Sequence, residues 1–252
     1  MSANTLPYPP RVDPSTIAIF LDVDGTLLEI APTPEAVVVP DELPGILDQL
    51  DQATGGAIAV VSGRSLAQLD EIFQPVTLSA AGLHGLERRN RGAGLERGVE
   101  KPAIHDAAKV RLEAFAAEHP GTIVEDKGIT LALHYRGAPD AREAASALVH
   151  QILEESRNTL TLLDGKMVFE LKPPGFDKGK SVEVFLQEPP YAGRMPVFAG
   201  DDVTDEAGFK VTNALNGVTV RIGGNSDRDT AAKYAVDSVS ELRVWLKSLM
   251  AG

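Results

Sequence analysis

Apolar residues in this chain fall into short unbroken runs, separated by longer segments in which they recur every three or four positions. Ile17-Ala18-Ile19-Phe20-Leu21 is the first run, and Ala57-Ile58-Ala59-Val60-Val61 and Met195-Pro196-Val197-Phe198-Ala199 repeat its style. Runs of this length without polar alternation predict strands covered on both faces, the habit of parallel sheets. Leu43, Ile46, Leu47 and Leu50 predict a helix over 41–52 that Gly55-Gly56 closes, and another follows Ser62-Gly63-Arg64-Ser65 through about Phe73. Residues 76–81 read as a third strand, and 86–97 as a hairpin with Asn90-Arg91-Gly92 at its tip. Later, helices are expected after Asp177, after Glu206 and over 240–250, with a strand over 217–222. Strand and helix in alternation imply a parallel sheet with right-handed crossovers.

Between these halves the pattern changes. Residues 106–118 read as an amphipathic helix carrying Val110, Leu112 and Phe115, and 140–157 as a second helix. Each precedes two short strands, 122–125 with 129–135 and 160–163 with 167–171, turning at Asp126-Lys127-Gly128 and Asp164-Gly165. This is one helix–strand–strand unit used twice, giving a four-stranded antiparallel sheet with two helices on one face. The expected fold is therefore α/β: a Rossmann-like parallel sheet over 15–103 and 175–252, with an α+β module at 104–174 inserted in it. Residues 1–14 hold four prolines and are expected to form a loose tail.

Composition narrows the function. The 252 residues carry a net charge of −12, against a broad basic surface for nucleic acid. No cysteine is present, so disulfides, thiolate metal sites and cysteine nucleophiles are excluded. No apolar run approaches the length of a membrane span, and the first residues lack a signal-peptide pattern. A cytoplasmic monomer, with neither membrane nor nucleic acid as partner, is the expectation.

The chemistry gathers at the ends of the strands, where ligands bind in open α/β sheets. The first run leads into Asp22-Val23-Asp24-Gly25-Thr26, two carboxylates on one side of an extended chain. Alone, the stretch fits two readings, a metal site or an ordinary Asp-Gly turn. Three more segments stand in similar places: Ser62-Gly63-Arg64, Asp177-Lys178-Gly179 and Gly200-Asp201-Asp202. Each has a bland reading: Ser62 as a helix cap, Lys178 as a surface lysine, Asp201-Asp202 as a turn, and Thr204 as a cap with Asp205 and Glu206 in a first helical turn. Together they supply what phosphoryl transfer needs. Carboxylates suit Mg²⁺, an aspartate serves as nucleophile, a second acid moves protons, and a hydroxyl and an ammonium hold the phosphoryl oxygens.

This order of motifs resembles the haloacid dehalogenase superfamily of phosphatases, and the insertion resembles that superfamily's cap of duplicated helix–strand–strand units. The resemblance implies Asp22 as nucleophile and Asp24 as general acid/base. It implies Mg²⁺ on Asp22, the Asp24 main-chain carbonyl and Asp201, with Asp202 nearby, and Ser62 and Lys178 on the transferring phosphoryl group.

Substrate clues are expected in the insertion and the loop before it, since a cap supplies specificity and excludes water. Glu125 with Lys127, and Glu170 with Lys172, are each two apart and share a strand face, suited to sugar hydroxyls or to a simple exposed ion pair. The stretches G-L-H-G-x-E from Gly82, V-E-D-K-G from Val124 through Arg136, and V-F-E-L-K-P-P-G-F-D-K-G from Val168 resemble trehalose-6-phosphate phosphatases. That implies hydrolysis of trehalose 6-phosphate; the 252 residues hold no glycosyltransferase-sized segment, so a free-standing phosphatase is the expectation. Glu125, Lys127, Glu170 and Lys172 would contact the disaccharide, with Arg64, His84 and Arg136 as further contacts. The alternatives are a phosphatase for another sugar phosphate, such as sucrose 6-phosphate or glucosylglycerate phosphate, a sugar phosphomutase, and a non-catalytic phosphosugar-binding regulator.

Overall fold

The structure is a computed structural model that describes residues 6–31, 33, 36–91, 94–223 and 229–251. In chain order its strands and helices are β1 (Ile17–Leu21), α1 (Leu43–Ala53), β2 (Ile58–Val61), α2 (Leu66–Phe73), β3 (Ser79–Gly82), β4 (Glu87–Arg89) and β5 (Glu96–Arg97). Then come α3 (His105–Glu118), β6 (Ile123–Asp126), β7 (Leu131–His134), α4 (Arg142–Glu155), β8 (Thr161–Gly165) and β9 (Val168–Lys172). The chain ends with α5 (Lys178–Phe185), β10 (Met195–Gly200), α6 (Glu206–Ala214), β11 (Val218–Ile222), β12 (Tyr234–Val236) and α7 (Val239–Met250). They form two compact units, Met1–Glu96 with Asp177–Gly252, and Arg97–Phe176.

The first unit is built on a sheet in the order β12-β11-β10-β1-β2-β3-β4-β5. Every pairing from β12 to β3 is parallel, and β4 runs antiparallel to β3. All five residues of β1 are fully buried, as an unbroken apolar run at the centre of a sheet must be. Alternate residues serve different layers. Ile17, Ile19 and Leu21 pack with Leu47 and Leu50 of α1, Leu69 of α2 and Trp245 of α7. Ala18 and Phe20 pack with Val182 and Phe185 of α5 and Phe209 of α6. A central strand covered on both sides by helices is held rigidly, and its C-terminal end is where the acidic pair Asp22 and Asp24 begins.

The second unit has the antiparallel order β6-β7-β9-β8. Leu131, Leu133, Phe169 and Leu171 form one face, packed on Ala108 and Leu112 of α3 and Ala145, Val149 and Ile152 of α4. The opposite face carries Glu125, Ala132 and Glu170 in one row across three strands.

Four details differ from the sequence reading. Val110 was expected on the buried face of its helix and is 65% exposed; α3 buries the expected Leu112 together with His105 and Ala108. The second hairpin does not turn at Asp164-Gly165, because Gly165 pairs with Val168, leaving Lys166-Met167 as the turn with Met167 at φ 65°. Edge strand β12 was not foreseen. The tail expected to be loose is tethered over its described part: Ala235 N–H donates to Pro7 O and Trp245 Nε1–H to Pro10 O. Residues 1–5, and Gly92 of the expected 86–97 hairpin tip, lie outside the described residues.

Candidate active site

Beyond β1 the chain folds back on itself. Asp22 N–H donates to Ala199 O, and Leu27 and Leu28 N–H both donate to Val23 O. Gly25 sits at φ 83° within this turn, and a Cβ there would lie 2.3 Å from Asp201 Oδ2. Only glycine lets the loop turn this way and lets the β10 acid approach so closely. Gly200 serves the next acid in the same manner, since a Cβ there would lie 2.2 Å from Asp205 Cγ.

The result is a cluster in which Asp22, Asp201 and Asp205 each bring an oxygen within 4.8 Å of the others. Lys178, 3% exposed, donates to Asp22 Oδ1 at 2.6 Å and to Asp205 Oδ1 at 2.7 Å. Asp205 Oδ2 accepts the backbone N–H of Asp201 and of Asp202. Burial pushes the Asp22 carboxyl well above its ordinary value; the charges of Asp205 and Asp201 add to this, and Lys178 opposes it. Burial alone would lower the Lys178 pKa, but the carboxylates of Asp205 and Asp22 outweigh it and hold the ammonium above its ordinary value. Three carboxylates against one ammonium leave an excess of two negative charges. An all-oxygen donor set with that excess fits a hard divalent cation.

The sequence reading set Asp202 near the metal and left Asp205 out; in the structure Asp205 joins Asp22 and Asp201 in the cluster, and Asp202 N–H donates to Asp205 Oδ2. The cause is the short 3₁₀ turn Val203–Asp205, which swings Asp205 back beneath Gly200. Thr204 is therefore not the cap that its position before a helix predicted. A signal was present: an acid four residues after Asp201 stands one turn along on the same side.

Ser62 is 1% exposed and is not the cap of α2. Ser65 takes that task, accepting from Gln68 N–H while Gln68 Oε1 accepts from Ser65 N–H. Ser62 Oγ accepts Arg64 N–H at 3.1 Å. Arg64, expected on the substrate, grips Asp24 with both arms: Nε to Oδ2 at 2.7 Å and Nη2 to Oδ1 at 2.6 Å. Asp177 caps α5 by accepting Lys180 N–H, which starts the helix at Lys178 and fixes its direction.

Leu83, His84 and Gly85 are three consecutive left-handed residues, at φ 50°, 56° and 97°. For leucine and histidine such a backbone is strained and needs support. Leu83 N–H donates to Arg64 O and His84 N–H to Ser62 O. The imidazole of His84 packs on Gly63, where a Cβ would lie 2.7 Å from Nε2. On its other side the turn abuts α5, since a Cβ on Gly85 would lie 2.5 Å from Ser181 Oγ. One turn thus touches both the Ser62 loop and the helix carrying Lys178.

In the second unit Glu125, Lys127 and Glu170 come together. Lys127 Nζ lies 3.7 Å from Glu125 Oε2 and 3.5 Å from Glu170 Oε2. His134, which the sequence reading did not single out, places Nε2 3.1 Å from Glu125 Oε2. Lys172 is buried and donates to the main-chain carbonyl of Phe176, while Arg136 is exposed. Lys127 and Ile129 also line a cavity of about 520 Å³ with Arg97, Glu100 and Lys101.

Residues 20–240 match the model of the trehalose-phosphatase family. The trehalose-6-phosphate phosphatase of Escherichia coli (strain K12) is 42% identical over 233 residues, 92% of this chain and 86% of its own. A probable trehalose-phosphate phosphatase of Sinorhizobium fredii is 44% identical over 206 residues, 82% of this chain and 77% of its own. Among solved structures, the C-terminal domain of the C. albicans trehalose-6-phosphate phosphatase superposes with a TM-score of 0.83 at 22% identity, covering 98% of this chain and 99% of that one. A Bacteroides thetaiotaomicron phosphatase of the haloalkanoate (HAD) enzyme superfamily superposes at 0.61 with 19% identity, covering 94% and 95%. The fold is that of the HAD phosphatases, and the chain belongs to the trehalose-phosphatase family.

Proposed function

We propose that this chain hydrolyses trehalose 6-phosphate to trehalose and phosphate. The observation that carries the reaction type is the buried Asp22 carboxylate, held at 2.6 Å by Lys178 inside an acidic cluster, in a chain of the trehalose-phosphatase family. Asp22 attacks phosphorus, forming an aspartyl-phosphate, as the bond to the sugar oxygen breaks. Asp24 gives the leaving alkoxide its proton. Asp24 then takes a proton from water, the water attacks phosphorus, and phosphate leaves with Asp22 restored. Ser62 and Lys178 hold the phosphoryl oxygens through both steps. Arg64 orients Asp24 for its two proton transfers.

We take the divalent cation to be Mg²⁺, held by Asp22, Asp201 and Asp205. When bound, it offsets the negative charge shared by these acids and the phosphoryl group. Residues 97–176 are read as the specificity cap, in which Glu125, Lys127 and Glu170 grip sugar hydroxyls. The chain is read as a cytoplasmic monomer.

A panel of sugar phosphates assayed for phosphate release, with Mg²⁺ and with EDTA, tests the reading. Trehalose 6-phosphate is expected to be the best substrate, and EDTA to abolish turnover. Comparable turnover of sucrose 6-phosphate or glucosylglycerate phosphate would move the assignment to another sugar phosphate. Asp22→Asn should lower kcat by about 10³-fold or more, as removal of a covalent nucleophile does; undiminished activity removes Asp22 from that role.

A further inference from the structure

We propose that His134 is a specificity residue of the cap unit, acting through Glu125 as a positioning residue for the sugar-gripping carboxylates. The inference rests on the reading of Glu125, Lys127 and Glu170 as sugar contacts and extends it to a residue outside that set.

The sheet register sets the geometry. Glu125 of β6 stands opposite Ala132 of β7, and Ala132 stands opposite Glu170 of β9. Ala132 is fully buried, and its short side chain leaves the two carboxylates on either flank of a low step. His134 lies two residues beyond Ala132 on the same face, diagonal to Glu125, within reach of a long side chain. Its Nε2 is 3.1 Å from Glu125 Oε2, with the imidazole side chain 27% exposed and the Glu125 side chain 17% exposed. A carboxylate only accepts, so the contact is a hydrogen bond when the imidazole proton sits on Nε2. Lys127 approaches the same oxygen at 3.7 Å and reaches Glu170 at 3.5 Å. His134, Glu125, Lys127 and Glu170 thus form one chain of contacts across β6, β7 and β9, with the imidazole at its end.

The physical role follows from the reach of a glutamate. Three rotatable bonds let its carboxylate wander, and recognition of a sugar hydroxyl needs the acceptor oxygen fixed to a fraction of an ångström. An N–H on Oε2 selects one rotamer and leaves Oε1 oriented. Losing it loosens the binding of the sugar equally in ground state and transition state, which raises KM and spares kcat.

The experiment compares the wild-type chain, His134→Ala, His134→Gln, Glu125→Gln and the His134→Ala/Glu125→Gln double variant. Steady-state kinetics are measured with Mg²⁺ on trehalose 6-phosphate and on p-nitrophenyl phosphate, a probe without a sugar. His134→Ala is expected to raise KM for trehalose 6-phosphate roughly tenfold, the scale of one hydrogen bond to a charged group. The ratio of kcat/KM between the two substrates should fall by the same factor. Glutamine carries an N–H at a similar reach and should restore most of the loss. The double variant should be no worse than Glu125→Gln, because His134 acts through that carboxylate. An unmoved KM in His134→Ala, an equal loss on both substrates, a glutamine variant no better than alanine, or additive losses in the double variant each overturn the proposal. Failure of the wild-type chain to hydrolyse trehalose 6-phosphate while hydrolysing p-nitrophenyl phosphate overturns the functional reading itself, and this inference with it.

Discussion

Arg64 meets Asp24 through a two-pronged contact, at 2.7 and 2.6 Å, across 40 positions of sequence. A planar guanidinium matches a carboxylate in this way and an ammonium does not. If the pair orients Asp24 for proton transfer, Arg64→Ala and Arg64→Lys should both lower kcat for trehalose 6-phosphate by about tenfold to a hundredfold, part of what a general acid contributes. Turnover of p-nitrophenyl phosphate should fall less, because its leaving group departs without a proton. An unchanged kcat with a raised KM would return Arg64 to the substrate contact expected from the sequence. Asp205 carries the complementary lesson at this scale. As a residue type before a helix it reads as a helix-start acid, and only the 3₁₀ turn places it on Lys178 and beneath Gly200.

At the scale of elements, the strands of the parallel sheet were legible because burial on both faces removes polar alternation, and β1, β2 and β10 are buried almost throughout. The duplicated helix–strand–strand unit was legible from its two hairpins. What escaped was short or set by partners. β12 has three residues, only one of them fully buried, and its place comes from pairing with β11. His134 and Glu125 meet only through hairpin register, nine positions apart. The left-handed turn Leu83–Gly85 was a plain loop in sequence and is an abutment in the structure, between the Ser62 loop and α5. Gly85→Ala places a Cβ at φ 97° and 2.5 Å from Ser181 Oγ. Denaturant unfolding should show a loss of about 1–3 kcal/mol, the range for such strain. The variant's kcat, normalised to folded protein, should also fall, because the abutment sets the spacing of Ser62 and Lys178. A loss of stability with kcat retained would reduce the turn to scaffolding.

For the whole molecule, the buried charges share one sign of pH dependence. The folded pKa of Asp22 is raised from the ordinary carboxylate value of 3.8, first by burial and then by Asp205. Such a group contributes stability that is present below the unfolded value and is lost as pH rises through the raised folded value. The same sign holds for Lys178, raised above 10.5, and for Tyr191, which burial pushes from 10.0 to about 12. The metal-free chain should therefore lose stability in two stages as pH rises, one starting from the carboxylate range and one above about pH 10. A divalent cation separates them. It binds the ionised acids, so the first stage should vanish in saturating Mg²⁺, with a gain of roughly 2.7 kcal/mol at a hundredfold excess over Kd. The second stage should persist, since Tyr191 lies in the apolar layer behind the sheet, donating to Ile58 O and stacked near Phe20. Thermal melts from pH 4 to 11, with EDTA and with Mg²⁺, check both. Tyr191→Phe should weaken the alkaline limb alone, and Asp22→Asn should flatten the acid-to-neutral limb in EDTA. A metal-free chain whose stability rises from pH 5 to pH 8 would contradict the charge excess drawn from Asp22, Asp201 and Asp205. In that case the acids would be better stabilised as carboxylates in the fold than in the unfolded chain, their charge already offset by the protein's own groups, and the case for a divalent cation at this site would fail.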